Sequence, residues 1–261
     1  MSVTPKNSQD NDFVLYISQD NSNVSMSHLA FKQSGDDLGY FLLTLKLPEA
    51  VRDQEILPKD VVLVMDTSGS MSGDKIEQAK KAFKGMIGHL RDKDRFNVVT
   101  FNTDVTVYKP ELRSANATNR KEAVDFVEGL GATGSTNIEQ ALKSAYGILS
   151  SDHDKSRTQY VIFLTDGEPT VGITDTAGLV KVAKTVNKTD GKLFNFGIGY
   201  DINTALLGKL ASANHGSTNY VEPNENLETA LNQFFSKIDA PVMTAAKVDF
   251  GNLDIKNVYP S

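Results

Sequence analysis

Along this chain, short stretches in which every position is apolar alternate with stretches whose apolar positions recur every three or four residues. Residues 61–65 form an uninterrupted apolar run of strand length, the mark of a strand buried on both faces. The next segment places Ile76, Ala79, Phe83, Ile87 and Leu90 on one helical face. The same unit then repeats, with strands expected at residues 96–101, 160–164, 193–198 and 218–221 and a hairpin partner at 105–108. Helices are expected near residues 121–128, 138–150, 177–187, 204–211 and 227–238. Strand–helix alternation of this kind implies an α/β fold: a doubly wound, mostly parallel, six-stranded sheet with helices on both faces.

The pattern differs at both ends. Residues 13–17 are an apolar run, and Phe41, Leu43, Leu45 and Leu47 alternate with Leu42, Thr44 and Lys46, with no helical period between them. Beyond Pro241 the period of two returns in Ala246, Val248 and Phe250, and Gly251-Asn252 offers a tight turn into Leu253 and Ile255. The expected organisation is therefore a small β domain built from residues 13–58 and 241–261, with an α/β domain at 59–240 inserted between them. Residues 1–12 are polar and turn-rich and read as a disordered leader.

Composition narrows the function. The 261 residues suffice for one good core, and a net charge of −6 without any Lys/Arg cluster argues against nucleic acid or an anionic membrane as the main partner. The absence of cysteine excludes disulfide frameworks, zinc–thiolate sites and cysteine nucleophiles together. Neither a signal peptide nor an apolar run long enough to insert into a membrane is visible, and no heptad run suggests an obligate oligomer, so a monomer is expected.

The candidate chemistry lies in three loops. Asp66-Thr67-Ser68-Gly69-Ser70 sits where a buried strand ends and a loop leads into a helix, the place where open α/β sheets put their ligands. A carboxylate followed at alternate positions by two hydroxyls offers three oxygens from one bend, which suits a hard cation. Thr136, in Gly134-Ser135-Thr136-Asn137, precedes a helix, and Asp166, in Thr165-Asp166-Gly167, follows the strand at 160–164. Two carboxylates and three neutral hydroxyls favour Mg²⁺, with Mn²⁺ or Ca²⁺ as alternatives sharing the same oxygen chemistry.

These three loops, in this order and context, resemble the metal-ion-dependent adhesion site of von Willebrand factor A domains, a Rossmann-like fold. The wider chain, in TDGEPTVG, FNFGIGYDINTALLGKLA and the run toward DIKNVYPS, is similar to inter-alpha-trypsin inhibitor heavy chains and their bacterial relatives. The likeness covers roughly residues 13–260. It implies that Ser68, Ser70 and Thr136 supply hydroxyls, that Asp66 and Asp166 supply carboxylates, and that an Asp or Glu of a protein or matrix partner takes the remaining position. It also implies a non-enzymatic binding module, an extracellular, periplasmic or cell-surface location reached by a leader outside this sequence, and a last helix whose movement is coupled to the site in some relatives. Two alternatives are an intracellular A-domain scaffold of an ATP-driven assembly and a Mg²⁺-dependent phosphatase. The phosphatase pattern needs a second Asp two residues after the first, where this chain has Ser68.

Each residue also has a plainer reading. Asp66, Ser68 or Thr136 taken singly is a helix cap, and Asp166 a turn residue before glycine. Gly129, Gly131 and Gly134 match GxGxxG but follow a helix rather than a strand, which fails the dinucleotide context and leaves them as bends in the Thr136 loop. The four histidines lack metal-ligand spacing; Asn23, Asn116 and Asn187 open Asn-x-Ser/Thr triplets of the kind chance supplies; and Asp104 and Glu168 read as solvated loop acids.

Overall fold

The computed structural model describes residues 25–35, 38–46, 56–199, 202–222, 225–238 and 255–256. Two compact units, Met1–Asp53 and Gln54–Ser261, partition the chain. In the first, β1 (Ser25–Phe31) pairs antiparallel with β2 (Tyr40–Lys46), Ser25 lying opposite Lys46 and Phe31 opposite Tyr40. Strand β1 was not expected, because serine and histidine interrupt its apolar period. The strand expected at 13–17, Leu47 of β2's pattern and residues 246–254 of the expected hairpin lie outside the described residues.

The second unit carries β3 (Lys59–Asp66), α1 (Asp74–His89), β4 (Arg95–Phe101), β5 (Val105–Val107), β6 (Arg113–Ser114), α2 (Ala117–Glu128) and α3 (Ile138–Ser151). It continues with β7 (Thr158–Thr165), α4 (Thr176–Val186), β8 (Lys192–Ile198), α5 (Thr204–Ser212), β9 (Thr218–Val221) and α6 (Leu227–Ile238). The sheet runs β5-β4-β3-β7-β8-β9, with β5 antiparallel at one edge and the other five strands parallel. The six expected strands are all present; the two-residue β6, which also pairs with β4, makes a seventh. Helix α2 starts four residues before its expected position, because the first turn is polar and its start is set by a cap rather than by an apolar stripe. The Asn116 side chain accepts a hydrogen bond from the Asn119 N–H at 2.9 Å.

The strand patterning explains the layering. On β3, Val61, Leu63 and Met65 face one core and Val62 and Val64 the other, and on β7 Ile162 and Leu164 oppose Val161 and Phe163. The first core packs against α1, α2 and α6 through side chains such as Phe83, Val127 and Leu231; the second packs against α3, α4 and α5 through Leu142, Leu179 and Leu210. Every residue of β3 and of β7 is buried. Leaving β3, the chain turns first to β4 on one side and later to β7 on the other, so the order of connections reverses at β3. A crevice opens at the carboxyl ends of the strands at such a reversal, and that end of β3 is Asp66.

At the opposite end, Lys59 and Asp94 form a fully buried ion pair at 2.8 Å. The Lys59 ammonium also lies 5.4 Å from the centre of the Phe235 ring on α6.

Candidate metal-binding site

Backbone hydrogen bonds gather the loops. The Thr67 N–H donates to the Phe101 carbonyl at 2.7 Å, the Thr133 N–H to the Thr67 carbonyl at 2.8 Å, and the Gly69 N–H to the Gly134 carbonyl at 3.0 Å. The Thr136 loop is thereby laced to the loop after β3. Gly134 has φ +78°, and an added Cβ would come 2.8 Å from the Thr103 hydroxyl, so this bend requires glycine. The Thr136 carbonyl accepts from Thr170 N–H at 2.9 Å, and the Thr136 N–H donates to the Thr170 hydroxyl at 2.8 Å. That pair fastens the same loop to the segment after β7.

Four of the five expected residues are buried, and the fifth, Ser70, is exposed. Asp66 is wholly buried; one carboxylate oxygen accepts the Ser68 N–H at 2.8 Å and the other the Thr165 hydroxyl at 2.6 Å. The Ser68 and Ser70 hydroxyls lie 3.0 Å apart, and Ser70 Oγ donates to Asp166 Oδ1 at 2.8 Å. A Cβ placed on Gly167 would sit 3.6 Å from Ser70 Oγ and 3.9 Å from Thr136 Oγ1, so both hydroxyls face the space that this glycine leaves open. All three loops thus meet at one point, and all five residues contribute to it.

The capping readings are not what the structure shows. Asn137, not Thr136, caps α3 through its side chain, which accepts from the Gln140 N–H at 3.2 Å. Helix α1 begins after Gly73 with no side-chain cap, and Asp66 bonds only within and across the loops. The Asn-x-Ser/Thr asparagines that can be followed are structural: Asn116 caps α2, and Asn187 holds Gly191 through its amide nitrogen and oxygen, each at 2.8 Å. Asp104 and Glu168 are exposed.

Burial dominates the electrostatics. Removal from water pushes the Asp66 carboxyl up to about 6; the hydrogen bonds from Thr165 and Ser68 pull it down, and the nearby Asp166 charge adds a smaller upward push. A buried carboxylate held this way gains from a cation.

Sequence reasoning missed two participants. Thr165, next to Asp166 in the chain, supplies the hydroxyl on Asp66. Lys75 places its ammonium on Asp166 Oδ2. A lysine in the first turn of a helix opposes the usual preference for acids there, and that was the available signal.

The donor set fits a small hard cation. On an octahedron with metal–oxygen distances of about 2.1 Å, neighbouring ligand oxygens stand about 3.0 Å apart; the Ser68 and Ser70 hydroxyl oxygens are 3.0 Å apart. Among the described residues no group of three or more His, Cys, Asp or Glu side chains is arranged to hold a metal, so a cation here would depend on hydroxyl oxygens.

A mostly parallel sheet whose connections reverse at an Asp-x-Ser-x-Ser loop defines a von Willebrand factor type A domain. The model of that family matches residues 60–237, and the chain belongs to the family. Among curated proteins it is similar to human inter-alpha-trypsin inhibitor heavy chain H4, 33% identical over 207 residues that make up 77% of this chain and 22% of that protein. It is also similar to mouse heavy chain H3, 33% identical over 216 residues, 78% of this chain and 24% of that one. The chain therefore spans less than a quarter of the length of these relatives. Among solved structures, a von Willebrand factor type A protein from Catenulispora acidiphila aligns with TM-score 0.65 and 25% identity, covering 82% of this chain and 46% of that one. The pilus adhesin SpaC from Lactobacillus rhamnosus GG shares the fold, with TM-score 0.59 and 17% identity over 83% of this chain and 34% of that one. Among the described residues no helix is long and apolar enough to cross a membrane.

Proposed function

We propose that this chain is a non-enzymatic, metal-dependent protein-binding module that acts outside the cytoplasm, as a monomer, on a protein or matrix partner presenting an Asp or Glu carboxylate. The observation that carries this reading is the convergence of Asp66, Ser68, Ser70, Thr136 and Asp166 from three loops at the reversal point of the sheet, with Ser70 open to solvent. Ser68, Ser70 and Thr136 would hold Mg²⁺ or Mn²⁺ through their hydroxyls, with Asp66 and Asp166 acting largely through water. When bound, the cation supplies an electrophilic centre for a carboxylate from outside, because neutral hydroxyls leave most of its charge uncancelled. The residues of the chain orient these oxygens and keep water from the buried side. Where a phosphatase would carry its second aspartate stands Ser68, a hydroxyl turned toward Ser70, which is far too weak an acid to take over that aspartate's proton transfer.

Calorimetric titration of Mn²⁺ into the wild-type chain tests the reading, with Thr136→Val as the comparison. The expected result is saturable binding, weakened by about tenfold in the variant and reversed by EDTA. A wild-type protein that takes up no Mn²⁺, or a valine variant that binds as well, would overturn it.

A further inference from the structure

Lys75 is the one feature of the site that a simple cation cage does not need. It is the second residue of α1, in a first turn whose backbone favours negative charge, yet its ammonium is paired with Asp166 Oδ2 while Ser70 holds Oδ1. Its tail crosses to the end of β8, where Gly199 has φ +106° and an added Cβ would come 3.5 Å from Lys75 Nζ and 3.7 Å from Cε. Asp166 is buried while the lysine side chain is 37% exposed, so the ammonium stands at the rim.

We propose that Lys75 is a specificity-determining residue that makes cation uptake weak by itself and dependent on an anionic partner group. This rests on the metal-site reading above. The charge count supplies the reason. Two carboxylates and one ammonium leave the site one negative charge, so a divalent cation brings it to a net positive charge that only an incoming anion neutralises. Without Lys75 the two carboxylates balance the cation, and an external carboxylate gains less. A bond that served only to brace Asp166 would have the opposite signature, because its loss would loosen the ligand and weaken metal binding.

The test is Mn²⁺ calorimetry on the wild type, Lys75→Met and Lys75→Arg, each with and without acetate as the external carboxylate. The methionine variant is expected to bind Mn²⁺ about tenfold more tightly, which is about 1.4 kcal/mol. The arginine variant keeps the charge and should stay near the wild type. Acetate should strengthen Mn²⁺ binding more in the wild type than in Lys75→Met, as reciprocal coupling requires. If Lys75→Met binds Mn²⁺ equally or less well while Thr136→Val still weakens it, the role given to Lys75 is wrong and the metal site stands. If no variant takes up Mn²⁺, both fall together.

Discussion

Replacing Asp66 with asparagine is expected to make the metal-free protein more stable near neutral pH and to abolish its response to Mg²⁺. The wild-type carboxyl is wholly buried, and burial raises its pKa from 3.8 to about 6. For an acid with a raised folded-state pKa, the associated stability is fully present below the unfolded value and is lost as pH rises through the folded one. The window therefore runs from 3.8 to about 6, and above it the ionised group costs the fold about 3 kcal/mol. Asparagine carries no charge, keeps an oxygen for the Ser68 N–H, and meets the Thr165 hydroxyl with an amide to which that oxygen can turn as acceptor. The variant should unfold about 5–10 °C higher than the wild type in EDTA at neutral pH, with the gap closing toward pH 4. Adding Mg²⁺ should raise the wild type only, since ligand binding to the native state stabilises it. Unfolding curves at two pH values, each with Mg²⁺ or EDTA, give all four quantities. Equal melting of the two metal-free proteins at neutral pH would contradict the burial argument, and equal Mg²⁺ responses would contradict the metal assignment.

Gly216→Ala is expected to be the most damaging single methyl addition among the glycines described. A Cβ there would lie 1.7 Å from the Leu193 carbonyl oxygen and 2.5 Å from its carbon, both backbone atoms of β8. Neither partner is free to yield. The Gly216 N–H donates to the Ala211 carbonyl and the Leu193 N–H to the Asn214 carbonyl, both at 3.0 Å, which pins this turn to α5 and β8 together. Relief requires moving a strand that lies inside the sheet, at a cost of more than about 4 kcal/mol. Gly208→Ala is the matched control: it lies within α5 with nothing inside 4 Å of an added Cβ. There alanine should gain about 0.5–1 kcal/mol by the usual helix preference. Denaturant midpoints that shift in opposite directions for the two variants would bear this out, whereas a near-neutral Gly216→Ala would show that the turn can relax.

The sheet was legible in the sequence because its central strands are buried on both faces and therefore read as unbroken apolar runs. Residues 61–65 and 160–164 lie inside the observed β3 and β7. What escaped was set by single contacts rather than by periodicity. The start of α2 depends on the Asn116 cap, β6 is a two-residue edge pairing, and β1 mixes serine and histidine with its apolar positions. The five oxygen-bearing residues that the loops bring together could be named because they occur as compact motifs. Thr165 could not, since a threonine ending a strand acquires meaning only when β3 and β7 are brought side by side, and Lys75 offered no more than its odd place in a first turn, with nothing in the sequence to name Asp166 as its partner.

The buried Lys59 has a mechanical consequence for the far side of the molecule. Its ammonium is shared between the Asp94 carboxylate and the face of Phe235, and its own strand ends at Asp66. One rigid strand therefore has its carboxylate end in the oxygen cluster and its basic end against α6. Sliding α6 along its axis would take the aromatic face away from a desolvated cation, so any displacement of this helix carries a penalty of about 2 kcal/mol at the end of β3 remote from the oxygen cluster.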